Sequence, residues 1–301
     1  LHVRSRRQRQ MCIRDRLRGD YMSQYLNYAI QLAQMVDGQT GVNPPVGAVV
    51  VNQGRIVGIG AHLRKGDKHA EVQALDMAKE AANGATIYIS LEPCSHYGST
   101  PPCVNKIIEF GISKVVYAVK DTTLSTKGDD ILHNAGIKVE FHHKPEAEAL
   151  YKDFFITKRQ GVPEITVKVS CSLDGKQATD HGESKWITNK TVKQDVFMLR
   201  HKHDAVITGT GTLNADNPQY TTRIEEGKQP IRVILSKSGQ VDFTLDIFKQ
   251  PMTPIWIFTE NKNLKSEDTN IEIIYCSNCT IENILKQLYQ YGIGSAMVEA
   301  G

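Results

Sequence analysis

Apolar residues recur along this chain at two periods, one helical and one strand-like. From Ser23 to Val36 the positions Leu26, Ala29, Ile30, Ala33 and Val36 share one face, with Ser23 as N-cap, which predicts an amphipathic helix. Asn43-Pro44-Pro45 breaks the pattern, and strand-sized runs follow at Val46–Val51 and Arg55–Gly60 around the turn Asn52-Gln53-Gly54. A helix is predicted over His69–Ala82, stopped by Asn83-Gly84, and then a strand over Thr86–Leu91. Pro101–Phe110 reads as a helix opened by proline and closed by Gly111. Strand Lys114–Val119, a short helix near Asp129–Asn134 and strand Ile137–Phe141 complete an α/β layer.

Residues 145–163 read as a linker: a charged helix from Pro145 to Arg159, then Gly161-Val162-Pro163. A second α/β pattern begins at Glu164. Its predicted strands are Ile165–Ser170, Ala205–Thr208, Ile231–Leu235, Ile255–Thr259, Ile271–Tyr275 and Ser295–Glu299, and its helices are Asn189–His201 and Ile281–Tyr291. Thr208-Gly209-Thr210-Gly211-Thr212 reads as a Gly/Thr-rich turn whose N–H groups could cradle a phosphate, or as a plain tight turn. The chain stops at Gly301 just after a strand, where a covering helix is expected, so this domain is expected to be C-terminally incomplete. The expected organisation is therefore 22–144 and 164–301, each α/β, with 145–163 between them.

Charge changes the picture at one end only. The net charge is +3, but residues 1–20 hold seven Arg and two Asp, or +5, which leaves −2 for the rest. Residues 1–20 carry no apolar core pattern and read as a non-native or disordered tail. A body near neutrality argues against a nucleic-acid partner. No run approaches the roughly 18–20 apolar residues of a membrane span. Six Cys are spread without disulfide-scaffold density and no secretory signal pattern is seen, so a reducing cytoplasm is expected. Cys276 and Cys279 read as a fortuitous spacing on a strand-to-helix turn.

One constellation carries chemistry. His69-Ala70-Glu71, Pro93-Cys94 and Pro101-Pro102-Cys103 supply one imidazole and two thiols, the count of a catalytic zinc that keeps a position open for water. Both Cys follow proline, and His69 opens a helix, so three helix starts are expected to converge on the metal and favour thiolates. Zinc in such a site makes water nucleophilic near neutral pH. Glu71 would then take the water proton and pass it to a ring nitrogen and a leaving amine. A purely structural zinc with His96 as fourth ligand is the alternative, as is a binding protein that has kept a zinc fold; neither needs Glu71.

Beyond these residues, Asn43-Pro44-Pro45-Val46-Gly47-Ala48-Val49 and Leu91-Glu92-Pro93-Cys94-Ser95-His96-Tyr97-Gly98-Ser99-Thr100-Pro101-Pro102-Cys103 closely resemble the bifunctional deaminase/reductases of riboflavin biosynthesis. The long spacer between the two Cys sets the pattern apart from cytidine and transfer-RNA deaminases, which usually have two residues there. The resemblance implies a cytidine-deaminase-like three-layer α/β/α domain that acts on diaminohydroxyphosphoribosylaminopyrimidine, a small phosphoribosyl pyrimidine. It also implies that Asn43 and His96 contact the substrate. Ser99 departs from the family's usual Lys or Arg, and Asp121-Thr122-Thr123-Leu124 from its usual Asp-Pro-Asn-Pro; both weaken the expected grip on the substrate phosphate.

In the second half, Lys168-Val169-Ser170-Cys171-Ser172-Leu173-Asp174-Gly175, Gly182-Glu183-Ser184-Lys185-Trp186-Ile187-Thr188 and Gly211-Thr212-Leu213-Asn214-Ala215-Asp216-Asn217-Pro218 resemble the reductase half of the same family. This implies a dihydrofolate-reductase-like α/β fold that uses NADPH to reduce the ribose to ribitol. Ser170, Trp186, Thr212 and Asp216 would lie along the cofactor; Ser184, Arg200, Arg223 and Glu299 would contact the substrate. A homo-oligomer is expected. Two other readings stay open: a nucleic-acid base deaminase with an accessory domain, and a deaminase whose reductase half is inactive.

Overall fold

The computed structural model describes residues 23–98, 100–123, 128–184, 187–250 and 253–300. The tail 1–20 and, among residues singled out above, Ser99, Leu124, Lys185, Trp186 and Gly301 lie outside the described residues. Two compact units divide the chain. The first takes residues up to Thr40 with Pro44–Phe155, and the second takes Gly41–Asn43 with Ile156 onward.

In the first unit a helix over residues 23–35 (α1) precedes β1 (Gly47–Asn52) and β2 (Arg55–Ala61). Then come α2 (Ala70–Ala78), β3 (Thr86–Ile89), α3 (Cys103–Glu109), β4 (Lys114–Tyr117), α4 (Gly128–Asn134), β5 (Lys138–Phe141) and α5 (Pro145–Gln160). The sheet order is β2-β1-β3-β4-β5, with β1 antiparallel to both neighbours and the other pairs parallel. Gln53 and Gly54, at φ 49° and 75°, make the tight turn of the β1–β2 hairpin.

Three glycines set the layers. Gly47 pairs with Ala61 and Ala48 with Gly60, so the Gly47 and Gly60 positions point to opposite faces. A Cβ on Gly47 would meet Ala29 O of α1 at 2.1 Å, and one on Gly60 would meet Ala70 O of α2 at 2.1 Å. On the Gly60 face, a Cβ on Gly58 would meet Ala74 O at 2.0 Å. α1 and α2 therefore cover opposite faces at backbone contact distance, which gives the α/β/α sandwich.

The segment expected as a linker is largely part of this unit. Ala147, Tyr151 and Phe155 of α5 recur every fourth residue and are buried in its core. Tyr151 donates its hydroxyl between Ser90 Oγ (2.6 Å) and Pro45 O (2.8 Å). The charged outer face of α5 masks this stripe in the sequence.

The second unit runs β6 (Glu164–Val167), α6 (Lys190–Lys202), β7 (Ala205–Gly209), α7 (Thr210–Asp216), β8 (Ile231–Leu235), β9 (Ile255–Thr259), β10 (Ile271–Tyr275), α8 (Ile281–Gln290) and β11 (Ser295–Val298). All neighbours in the order β10-β9-β8-β7-β11-β6 pair in parallel. Alternate strand positions feed two cores: Ala205, Ile207, Val233 and Phe258 pack with Ile284 and Leu288 of α8, while Val206, Ile234 and Ile257 pack with Leu213 of α7. A parallel sheet buried on both faces follows.

Two expectations change here. The Gly/Thr-rich segment opens a helix where a turn was expected: Gly209 is the N-cap of α7, and burial of Leu213 outweighs the poor helix propensity of Thr-Gly-Thr. Cys276 and Cys279 do lie on the β10–α8 turn, but they are joined as a disulfide with Cα atoms 5.6 Å apart. No described helix is long and apolar enough to cross a membrane.

Candidate functional site

His69 is the N-cap of α2, and its extended backbone (φ −64°, ψ 161°) turns the ring away from the helix it opens. Glu71 follows in the first turn and is only 3% exposed. Cys103 is the first residue of α3 behind its N-cap Pro102 and is fully buried. Cys94 lies in the irregular loop after β3, so two helix starts meet here rather than the three expected. That loop is pinned to α3: Cys103 N donates to Cys94 Sγ at 3.3 Å and Val104 N to Cys94 O at 3.3 Å.

His69 Nδ1 stands 3.2 Å from Cys103 Sγ and 3.5 Å from Cys94 Sγ, and the three ligand atoms lie within 4.8 Å of one another. Tetrahedral zinc bonded to two sulfurs and a nitrogen would set those edges at about 3.5–3.8 Å. The donor set therefore fits zinc with little movement, and its softness disfavours oxygen-seeking cations.

Electrostatics points the same way. A hydrogen bond from the Cys103 thiol, with further help from His69, holds the Cys94 thiol well below its usual range. The same bond and burial push Cys103 up. Hydrogen bonding to Cys94 raises His69. Burial first, and then the negative Cys94, push Glu71 up to about 7. A buried group of one thiolate, one thiol and one reluctant carboxyl is short of positive charge, which a dication at this point would supply.

Two neighbours escaped sequence reasoning. The buried His62 ring packs edge-on against His69 with centroids 5.1 Å apart, and Thr100 Oγ1 lies 3.2 Å from His69 Nε2. A lone histidine at a strand end and a threonine among prolines carry no signal of their own. Of the remaining residues expected here, His96 is exposed on the loop after Cys94 and Asn43 is half-buried in the bend before Pro44. Among the described residues the metal-capable group is His69, Cys94 and Cys103, without His96.

In the second unit a cavity of about 710 Å³ opens where β6, β7 and β11 end, the edge at which parallel sheets bind ligands. Ser170, Thr212 and Asp216, expected along a cofactor, line it. So do Ser184, Arg200, Arg223 and Glu299, expected against a substrate. Lys168, Lys193, Arg200 and Arg223 face Asp216, Asp246 and Glu299 around the wall, with Lys168 Nζ 3.7 Å from Glu299 Oε2, so positive charge is in slight excess. Arg200 and Arg223 both approach the Phe197 ring, at 5.8 and 5.3 Å from its centroid.

Residues 21–119 match the cytidine and deoxycytidylate deaminase zinc-binding region, and residues 163–301 match the RibD C-terminal domain. The riboflavin biosynthesis protein RibD of Bacillus amyloliquefaciens is 42% identical over 288 residues, covering 92% of this chain and 78% of the relative. This chain belongs to the RibD family. RibD of Aquifex aeolicus is 41% identical over 284 residues, covering 92% of this chain and 80% of that protein. The crystal structure of a diaminohydroxyphosphoribosylaminopyrimidine deaminase/5-amino-6-(5-phosphoribosylamino)uracil reductase from Thermotoga maritima superposes with a TM-score of 0.81 at 36% identity, covering 94% of this chain and 81% of that one. RibD of Acinetobacter baumannii gives 0.80 at 36% identity, with the same coverage. The chain is thus a riboflavin-biosynthesis enzyme with a zinc-binding deaminase domain and an NADPH-using RibD reductase domain, and it acts on small molecules.

Proposed function

We propose that the first unit deaminates diaminohydroxyphosphoribosylaminopyrimidine and that the second reduces the resulting 5-amino-6-(5-phosphoribosylamino)uracil. The observation that carries this reading is the buried Glu71 carboxyl beside a His69–Cys94–Cys103 group of zinc dimensions. Zinc held by those three side chains would supply a Lewis acid that makes water reactive near neutral pH. Glu71 takes the proton from the attacking water, places it on the ring nitrogen, and then protonates the amine, which leaves as ammonia while the ring gains a carbonyl. Its carboxyl is suited to this because it is buried in the first turn of α2, two residues from His69. Asn43 and His96 are assigned to the substrate by resemblance alone.

In the second unit NADPH would supply a hydride to the sugar carbon. Ser170, Trp186, Thr212 and Asp216 are assigned to the cofactor, and Ser184, Arg200, Arg223 and Glu299 to the substrate. Arg223 on the cavity wall suits a phosphate. A homo-oligomer and a cytoplasmic location belong to the same reading.

The test is ammonia release from diaminohydroxyphosphoribosylaminopyrimidine, followed by NADPH oxidation in the same tube, with bound metal measured on the same sample. Ammonia and then NADP⁺ are expected in sequence. A zinc-loaded chain that releases no ammonia from this substrate overturns the reading.

A further inference from the structure

Ligation accounts for His69, Cys94 and Cys103, and proton transfer for Glu71, yet one polar contact of the site remains unassigned. Thr100 Oγ1 stands 3.2 Å from His69 Nε2. The opposite nitrogen, Nδ1, is the one that faces both sulfurs. An imidazole binds a metal through a bare lone pair, so a neutral His69 that ligates through Nδ1 must carry its proton on Nε2. That N–H needs an acceptor, and the Thr100 hydroxyl oxygen is at the right distance to be one.

We propose that Thr100 is a positioning residue for the metal ligand His69. Its hydroxyl accepts a hydrogen bond from Nε2–H, holds the tautomer that leaves Nδ1 bare, and fixes the ring at the angle where Nδ1 meets both sulfurs. This rests on reading the triad as a zinc site.

The surrounding backbone is built to hold that hydroxyl. Thr100 O accepts from Gly98 N at 3.2 Å. On its other side Pro101 and Pro102, with φ restricted by their rings, tie Thr100 to Cys103 at the start of α3. Cys103 N in turn grips Cys94 Sγ. The spacer 95–102 therefore does more than connect two ligands: it carries a hydroxyl to the far nitrogen of the third. Thr100 touches neither sulfur ligand in this scheme and acts only through His69.

The test compares Thr100→Val, which keeps the shape and removes the hydroxyl, with Thr100→Ser, which keeps the hydroxyl. Zinc affinity is read by competition with a chromophoric chelator, and the visible absorption of the cobalt-loaded chain reports ligand geometry. Wild type and Thr100→Ser should each hold one zinc with affinities within about threefold of each other, while Thr100→Val should bind roughly 10–100-fold more weakly with an altered cobalt spectrum. Near-ultraviolet circular dichroism and the unfolding midpoint of the first unit check that each variant is folded around the site. Equal zinc affinity and an unchanged cobalt spectrum in Thr100→Val, beside a wild type that binds zinc, overturn the proposal while leaving the zinc site standing. So does a Thr100→Ser variant as weak as Thr100→Val, since a hydroxyl alone would then not rescue. A wild-type chain that binds no zinc removes the triad reading itself, and this inference with it.

Discussion

Arg200 grips Glu299 through both carboxylate oxygens, with Nε 2.6 Å from Oε1 and Nη2 2.9 Å from Oε2. The side chains are 11% and 4% exposed. Arg200 Nη1 also donates to Thr221 O, and the Tyr220 hydroxyl donates to Glu299 O. The two residues come from α6 and the end of β11, so the pair joins a helix to the sheet edge at the cavity wall. Arg200 was expected as a substrate contact; most of its donors are already committed to protein, and Arg223 is the more available guanidinium of the two.

Breaking that pair should be costly in one unit only. Glu299→Gln leaves a buried guanidinium without its counter-charge, a change that typically costs about 3–5 kcal/mol. Loss of NADPH oxidation and a lower unfolding midpoint for the second unit are expected, with ammonia release retained. Full reductase activity in Glu299→Gln would show that the ion pair is incidental to the cavity.

Glu71→Gln should keep zinc and lose ammonia release by at least the roughly 10²–10⁴-fold attributed to a positioned acid/base. Metal analysis beside the activity assay separates this from simple loss of the metal. Wild-type activity in the mutant would remove Glu71 from the chemistry.

The same substitution should leave a signature in the metal-stripped chain. Folded Glu71 holds its proton up to about 7, whereas an unfolded glutamate releases it near 4.5. Between those values the folded state binds more protons than the unfolded one, so stability falls as pH rises through the window. The size is at most on the order of 3 kcal/mol. Metal-free Glu71→Gln should therefore melt higher than metal-free wild type at pH 8 and match it near pH 4.5. Coincident melting curves at both pH values would contradict the buried, proton-holding carboxyl.

Much of this was legible from local pattern, and what was hidden depends on long-range packing. The strands and most helices follow hydrophobic period and caps: Asn189 and Thr280 accept from Val192 N and Asn283 N as their residue types suggest. The zinc ligands were legible because each sits beside a proline or a helix start. Helix α7 was not, since only the burial of Leu213 justifies a helix over Thr210–Asp216. Arg232, inside an apolar strand, reads as an interruption; in the fold it is buried and donates to the carbonyls of Ile247, Gln250 and Thr253. The approach of His62 and Thr100 to one imidazole joins residues far apart in sequence, which no period records.

Ser99 offers a gain of function. The family resemblance places a basic residue at this position, where a hydroxyl now stands. Ser99→Lys should lower KM for the phosphorylated pyrimidine with kcat little changed, because a charge that meets the phosphate binds ground and transition states alike. An unchanged KM would assign phosphate recognition to other residues.

The contact between β2 and α2 ties the sheet to the chemistry. Gly60 lies under Ala70, the residue between His69 and Glu71, and a Cβ there would stand 2.1 Å from Ala70 O and 2.8 Å from Ala74 N. Both neighbours are backbone atoms of one helix, so the clash can be relieved only by moving α2 and β2 apart. Gly60→Ala should cost roughly 1–3 kcal/mol of stability or more, and it should also weaken zinc binding, because His69 rides on that helix while Cys94 and Cys103 do not. Comparing the unfolding midpoint with chelator competition distinguishes this from ordinary overpacking. A variant that melts lower but binds zinc as tightly as wild type would mean that His69 is held by its partners in the site and not by the seating of α2.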